Sequence, residues 1–114
     1  MKVKLRTVDS WVPEFLLVVK EFPALVGRDP DADVRVTDLW VSRAHCELYD
    51  LEGMLAVRDL GSRHGTFING VKVTDSILMP GDKLQVGMTR LEVSYKRKAR
   101  KPVFVREGHV IGER

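Results

Sequence analysis

Residues 59–70, Asp-Leu-Gly-Ser-Arg-His-Gly-Thr-Phe-Ile-Asn-Gly, contain the local signals that decide the fold. A turn signal at Gly61-Ser62 leads through an Arg-His pair into a short apolar segment. Asn69-Gly70 ends the stretch and is the strongest hairpin signal in the chain, because both central residues of a type I′ turn need positive φ, which Asn and Gly tolerate best. The stretch therefore predicts short strands joined by tight turns.

The same pattern continues on both sides of this stretch. Apolar residues recur with a period near two, which indicates β-strands, at residues 3–6, 46–49, 84–86 and 91–95. Further turn signals lie at 52–53, 80–82 and 86–87, at the spacing of roughly eight to twelve residues that is typical of a sandwich or barrel. No segment predicts a helix. The apolar run 15–19 predicts a strand buried on both faces.

Composition fits one folded domain without crosslinks. The chain has 114 residues, of which 44% are apolar and 31% charged, and this excludes a disordered chain. Cys46 is the single cysteine and no Cys/His cluster has zinc-ligand spacing, so we expect no disulfide, metal or cofactor, with Cys46 half-buried in the core. No apolar run approaches the roughly 20 residues of a membrane span. The sequence therefore predicts a cytoplasmic protein.

The positive charge is concentrated at one end of the chain. The net charge is +3, yet residues 96–114 contain seven Lys/Arg and two Glu, while residues 1–95 contain twelve Lys/Arg and fourteen Asp/Glu. A like-charge block with a proline indicates a linker or tail. We therefore divide the chain into a domain at 1–95 and a basic tail at 96–114, with one extra strand expected near 103–105.

Two possible chemistries fail on spacing. Asp29, Asp31 and Asp33 have the spacing that begins a calcium loop, but the glycine and the bidentate glutamate that such a loop requires are missing. His45 and Cys46 are of types used in nucleophilic catalysis, but adjacent strand residues face opposite ways and no nucleophile-elbow pattern occurs. The sequence therefore predicts an acidic surface turn and no enzyme.

Three predicted loops contain basic residues beside turn chemistry. Arg28 follows Gly27 at the end of an apolar strand, Ser42-Arg43 lies about fifteen residues later, and Arg63-His64 about twenty later again. In an antiparallel fold two strands return the chain to the same end, so these loops can converge. Guanidinium, hydroxyl and backbone N–H donors together match a dianionic phosphate.

These segments resemble the successive signatures of the forkhead-associated (FHA) family. Four blocks occur in order within residues 16–95, namely Gly27-Arg28, Ser42-Arg43-Ala44-His45, residues 59–70 and residues 78–87. The resemblance implies an all-β sandwich of about eleven mostly antiparallel strands, with ligand loops at one end. It also implies phosphothreonine-dependent recognition of a partner protein that an upstream Ser/Thr kinase has phosphorylated.

The resemblance assigns roles to individual residues. Arg28 and Ser42 match positions that contact the phosphate directly, and Arg43 matches a further phosphate donor. Arg63 and His64 match the loop that touches the phosphothreonine and the peptide backbone. Four further residues match positions that shape the loops: Gly27, His45, Asn69 and Gly70.

Two loop residues raise questions of specificity. The family commonly has Asn where this chain has His64, and a neutral imidazole offers one donor and one acceptor in a different plane. A protonated imidazole offers two donors and no acceptor, so we expect binding to be more sensitive to pH here than in a homologue with Asn at this position. Trp40 either packs beneath its loop or forms part of a pocket for an apolar residue on the C-terminal side of the phosphothreonine.

Two alternative functions stay open at this stage. The first is a phosphate-independent assembly domain on the same fold, against which the presence of both Arg28 and Ser42 argues. The second is sequence-independent contact with nucleic acid through the basic tail, against which the absence of interleaved aromatic residues argues.

Overall fold

A computed structural model describes residues 1–8 and 13–97, together with the backbone of two short strands beyond them. The strands are β1 (Val3–Val8), β2 (Leu16–Val19), β3 (Ala24–Gly27), β4 (Val34–Arg35), β5 (Cys46–Leu51), β6 (Met54–Asp59), β7 (Thr66–Ile68), β8 (Val71–Val73), β9 (Asp75–Leu78), β10 (Lys83–Val86), β11 (Thr89–Ser94), β12 (Phe104–Arg106) and β13 (His109–Ile111). No helix occurs within the described residues, and hence none that could cross a membrane.

The first eleven strands form two sheets. The six-stranded sheet has the order β2-β1-β11-β10-β7-β8, and the five-stranded sheet has the order β4-β3-β5-β6-β9. All the pairings in them are antiparallel except that of β3 with β4. The predicted all-β sandwich of about eleven mostly antiparallel strands is confirmed.

Alternating side chains supply the core between the sheets. In β1 the inward residues Val3 and Leu5 are fully buried, and Leu91 and Val93 of β11 are buried beside them. The five-stranded sheet contributes a matching set of fully buried side chains, which are Ala24, Val26, Cys46, Leu48, Leu55, Val57 and Leu78. The period-two pattern therefore identified the inward faces correctly.

The turn at Asn69-Gly70 has the predicted conformation. It joins β7 to β8, and φ is 49° at Asn69 and 85° at Gly70. Positive φ at both central positions defines the type I′ hairpin that suits the twist of the flanking strands.

Two expectations about burial were wrong. The segment expected to be buried on both faces contains β2, which lies at the edge of its sheet and leaves Leu16 62% and Val18 41% exposed. A run of five apolar residues does not reveal an edge strand, because the position of a strand in its sheet depends on which other strands pair with it. In this sheet β2 pairs with β1 on one side and is the last strand of the order. Cys46 was expected to be half-buried but is fully buried, because its side chain points between the sheets.

The C-terminal segment forms an antiparallel pair of strands, β12 and β13. We expected one strand near 103–105; residue 103, like the rest of 98–103, lies outside the described residues.

The topology brings the functional loops to one end. Val26 of β3 lies opposite Cys46 of β5, and Cys46 lies opposite Asp59 of β6. The end of β3, the start of β5 and the end of β6 therefore lie side by side at one end of the five-stranded sheet. The loops that follow β3, precede β5 and follow β6 all emerge there.

Candidate functional site

An open cleft of about 570 Å³ lies among these three loops. All five residues predicted to bind phosphate line it, together with three apolar neighbours: Arg28, Ser42, Arg43, Arg63, His64, Leu39, Trp40 and Val41. Within the described residues, no Asp or Glu lines this cleft. The arrangement concentrates cationic and hydroxyl groups around a space that is large enough for a phosphate group and adjoining peptide.

Gly27 allows two backbone segments to approach each other closely. A Cβ built at Gly27 would lie 1.9 Å from the carbonyl oxygen of Arg43, so no other residue fits without moving the backbone. The next residue, Arg28, donates its backbone N–H to the carbonyl of Ser42 (3.0 Å). Gly27 thereby fixes the loop before β5 against the end of β3.

The side chain of Arg28 is held in place by one of its own donors. Its Nε–H donates to the carbonyl of Val41 (3.0 Å), which orients the guanidinium into the cleft. Both Nη groups then remain available for a bidentate contact, the geometry in which guanidinium binds carboxylate or phosphate best.

Ser42 connects two of the loops through its hydroxyl. Its Oγ accepts a hydrogen bond from the backbone N–H of Arg63 (3.0 Å). A hydroxyl can accept and donate together, so the Ser42 proton remains available to a phosphate oxygen. This hydrogen bond thus holds the loops that contain Ser42 and Arg63 together at the point where a ligand would touch both.

Arg43 is shared between the cleft and an acidic turn. One of its Nη groups lies 3.1 Å from Oδ2 of Asp29, and its side chain is exposed. The backbone N–H of Asp31 and the Arg43 guanidinium hold the pKa of Asp29 below its ordinary value. The predicted acidic turn therefore has a structural role, because it positions Arg43.

His45 is fully buried and bonds to both ligand loops. Its Nδ1 accepts the backbone N–H of Ser42 (3.1 Å), and its Nε2 lies 2.8 Å from the carbonyl of Gly65. An acceptor role at Nδ1 requires the proton to be on Nε2, where it is donated to Gly65. Burial lowers the pKa of His45, although the Gly65 carbonyl and Asp59 oppose this shift. The neutral imidazole therefore braces the cleft from below.

The loop after β6 is shaped by one carboxylate. Oδ2 of Asp59 accepts the backbone N–H groups of Gly61 (2.9 Å) and Ser62 (3.0 Å), and Oδ1 accepts the hydroxyls of Ser62 (2.5 Å) and Thr66 (2.7 Å). Burial raises the pKa of Asp59, but these hydrogen bonds outweigh it and hold the pKa below its ordinary value. Asp59 was not among the predicted site residues, although its place at the start of a Gly-Ser turn was a usable signal.

Asp38 also supports the site and was missed by the sequence reasoning. It is buried, and its carboxylate accepts the backbone N–H groups of Trp40 (2.8 Å) and Met88 (2.6 Å) and the hydroxyl of Thr89 (3.0 Å). Because Met88 and Thr89 belong to the β10–β11 turn and the start of β11, Asp38 ties the Trp40 loop to the six-stranded sheet. Only the folded chain brings these partners together, fifty residues apart.

Trp40 and His64 form the rim of the cleft. Their rings meet edge to face, with centroids 4.9 Å apart and planes inclined by 69°. Trp40 is 54% exposed, so it does not pack beneath its loop. The contact places an apolar surface beside the basic cleft.

Asn69 and Gly70 lie away from the cleft. Thr66 of β7 is at the cleft end, whereas Asn69 follows the opposite end of that strand. The Asn69 amide donates to Asp82 (3.0 Å) and accepts from the backbone N–H of Lys83 (2.9 Å). Asn69, with Gly70 beside it in the hairpin, therefore shapes the turn before β10. The ligand loops are supported by Gly27 and His45.

Comparisons with known proteins agree with this geometry. The family model described as "FHA domain" matches residues 24–87. The oxoglutarate dehydrogenase inhibitor of Corynebacterium efficiens is 36% identical over 88 residues, which are 67% of this chain and 62% of that protein. The glycogen accumulation regulator GarA of Mycolicibacterium smegmatis is 42% identical over 65 residues, which are 57% of this chain and 41% of that protein. The chain thus spans less than two thirds of either relative.

A solved structure has the same architecture. It comes from a structural and functional analysis of phosphothreonine-dependent FHA domain interactions, is 29% identical, and covers 84% of this chain and 98% of its own, with a TM-score of 0.72.

The brace formed by His45 predicts a pH effect on stability. In the folded chain, His45 should titrate below 6.5 and show the Nε2–H tautomer, which ¹⁵N-detected NMR distinguishes. Because the unfolded chain takes up this proton first, the free energy of unfolding should fall as pH decreases below about 6.5. A His45→Asn variant should lose part of that pH dependence in urea titrations. A folded-state pKa of His45 at or above the ordinary value would contradict the bracing role.

Proposed function

The chain belongs to the FHA-domain family, and we propose that its cleft binds phosphothreonine in partner proteins that a Ser/Thr kinase has phosphorylated. One observation carries the proposal: the Arg28 guanidinium, held by Val41, and the Ser42 hydroxyl, held by Arg63, present free donors to the same cleft. A phosphate dianion has three acceptor oxygens that such donors match. Arg43 adds a third group at the edge.

Arg63 and His64 would hold the peptide beside the phosphate. Both line the cleft from a loop whose shape is fixed by hydrogen bonds to Asp59. The side chains of Arg63 and His64 take no part in those hydrogen bonds. An Arg and an imidazole can together bind a phosphate oxygen and the peptide backbone. Gly27 and His45 would act indirectly, by keeping the loops at their present separation.

We propose a binding module without catalytic activity. Burial raises the pKa of the Cys46 thiol to about 12, which leaves no thiolate for nucleophilic attack. Both ring nitrogens of His45 are engaged with backbone groups, so it cannot serve as a base. A free cysteine and a kinase-dependent ligand fit a cytoplasmic location.

Replacing Arg28 tests the phosphate site. Arg28→Ala should weaken binding of a phosphothreonine peptide by about 1.5–3 kcal/mol, or roughly 10- to 150-fold, because a charge-assisted hydrogen bond to a dianion is lost. Isothermal titration with paired threonine and phosphothreonine peptides measures this loss. The control is Arg58→Ala, which removes an exposed guanidinium from the outer face of the five-stranded sheet. Equal affinities for both peptides across a broad library would overturn the proposal.

Replacing His64 tests how the peptide backbone is held. A protonated imidazole has two donors and no acceptor, and histidine changes charge between pH 5 and 8. Affinity for the phosphothreonine peptide should therefore vary more steeply with pH in the wild type than in His64→Asn. Fluorescence anisotropy between about pH 5.5 and 8 measures both profiles, each corrected for ionisation of the phosphate. Superimposable profiles would show that His64 does not hold the peptide through its neutral form.

Replacing Trp40 tests peptide specificity. We propose that its exposed ring forms part of a pocket for an apolar residue C-terminal to the phosphothreonine. A degenerate phosphopeptide library should show a preference for apolar residues there, and Trp40→Ala should reduce it. Leu60→Ala is the control, because Leu60 is also exposed but does not line the cleft. An unchanged preference in Trp40→Ala would exclude the pocket.

A further inference from the structure

The outer face of the six-stranded sheet carries most of its charge as lysine and arginine. Lys4 pairs across the strands with Ser94, and Arg6 pairs with Glu92, which in turn lies opposite Lys83. Glu92 contacts both of its neighbours, Arg6 and, at 3.9 Å, Lys83. The middle of this face is therefore locally neutralised.

One end of the same face holds a group of three lysines. Lys2, Lys4, Ser94 and Lys96 line a cavity of about 480 Å³, with Tyr95 beneath them. Cross-strand neighbours are about 5 Å apart and residues two apart on one strand about 7 Å apart. Three ammonium groups thus share one small area of surface; Lys2, Lys4 and Lys96 are called the lysine cluster below.

The described residues provide no acidic partner for the lysine cluster. None of its three ammonium groups forms an ion pair or hydrogen bond with any residue in 1–8 or 13–97. The Tyr95 hydroxyl cannot help, since it donates to the carbonyl of Leu78 (2.5 Å) and accepts from the backbone N–H of Leu55 (3.1 Å). The Ser94 hydroxyl is exposed beside the ammonium groups. The cavity therefore has charged donors of one sign and no carboxylate to neutralise them among the described residues.

The lysine cluster lies at the end of the sandwich opposite the phosphate cleft. Strand β11 begins at Thr89, which bonds to Asp38 beneath the cleft loops, and ends at Ser94 in the cluster. Six residues of strand span roughly 17–20 Å. A phosphate bound at Arg28 cannot reach the lysine cluster, so the cluster is a separate feature of the surface.

We propose that the lysine cluster is a docking site for an acidic segment of a partner polypeptide, one rich in Asp, Glu or phosphorylated side chains. Charge complementarity supports such an occupant. Exposed aliphatic side chains adjoin the cluster on the same face, since Val18 is the cross-strand neighbour of Lys4 and Leu16 that of Arg6. These side chains suit the apolar residues of a peptide and offer nothing to a sugar-phosphate backbone.

The small size of the cluster favours a peptide over a larger polyanion. A nucleic-acid duplex or an anionic membrane needs a broad basic surface, whereas the centre of this face is neutralised at Glu92. Lys96 of the cluster is followed directly in the sequence by a second basic residue, Arg97, which is exposed.

This inference goes beyond the proposed function and does not require it. A partner with a phosphothreonine at one end and an acidic segment roughly 20 Å away along its surface would engage both sites, and the second contact would raise the effective concentration of the first. The acidic-segment site would still bind if the phosphate cleft were inactive.

Fluorescence anisotropy with a labelled decaglutamate peptide and the full chain tests the proposal. At about 50 mM salt, Lys4→Gln/Lys96→Gln should weaken binding by about fivefold or more, and the difference should shrink as salt rises. The matched control is Arg35→Gln/Lys72→Gln, which removes two exposed positive charges near the cleft end and should leave binding within about twofold. Arg28→Ala should leave decaglutamate binding unchanged but weaken phosphothreonine binding by roughly 10- to 150-fold, so failure of either site is recognised separately.

Three outcomes would overturn the proposal. If decaglutamate does not bind the wild type, the lysine cluster is not a docking site for an acidic segment. Equal losses in the two double variants would show a diffuse charge effect. A labelled DNA duplex or phosphatidylserine vesicles that bind more tightly than decaglutamate, with the loss confined to Lys4→Gln/Lys96→Gln, would assign the cluster to a different class of partner. Unchanged phosphothreonine affinity in the lysine variant verifies that it is folded.

Discussion

The buried imidazole of His45 is the contact on which the recognition end of this domain depends. It receives the N–H of Ser42 and donates to the carbonyl of Gly65, and so fixes the distance between two loops that are twenty residues apart in sequence. Main-chain bonds extend the junction, because His45 also donates its backbone N–H to Val26 and accepts that of Leu60. With the imidazole neutral, His45 adds no positive charge beneath the cationic side chains that line the cleft.

Structural and ligand-facing duties are divided among different residues. Backbone groups and the carboxylates of Asp38 and Asp59 hold the loops in place, whereas the guanidinium of Arg28 projects into the cleft. This division explains how a domain whose first 95 residues are slightly acidic presents a basic surface locally. Each carboxylate that supports a loop accepts hydrogen bonds from several N–H and O–H donors of the protein, so its oxygens are occupied below the surface. The arginines above are the groups left with unused donors.

Sequence reasoning predicted the β-strands and the convergence of the loops from short-range patterns, whereas the resemblance to the FHA family supplied the sandwich of about eleven strands. Alternation assigned the inward faces, and Asn69-Gly70 specified its own hairpin through the φ angles those residues tolerate. The errors concern long-range facts. Residues 16–19 lie at a sheet edge because no strand of that sheet pairs with their outer side, which depends on the whole topology. The role of Asp38 depends on Met88 and Thr89, which no local pattern connects to it.

The frame built by Asp59 also bears on how such domains can diversify. Its carboxylate and the Ser62 hydroxyl, which in turn accepts the N–H of Gly65, hold the loop from inside. The two residues at the tip, Arg63 and His64, are attached to a scaffold that does not use their side chains. Their side chains can therefore change while the hydrogen bonds from Asp59 and Ser62 keep the shape of the loop, so that substitutions at two positions are enough to alter what the loop presents to a ligand.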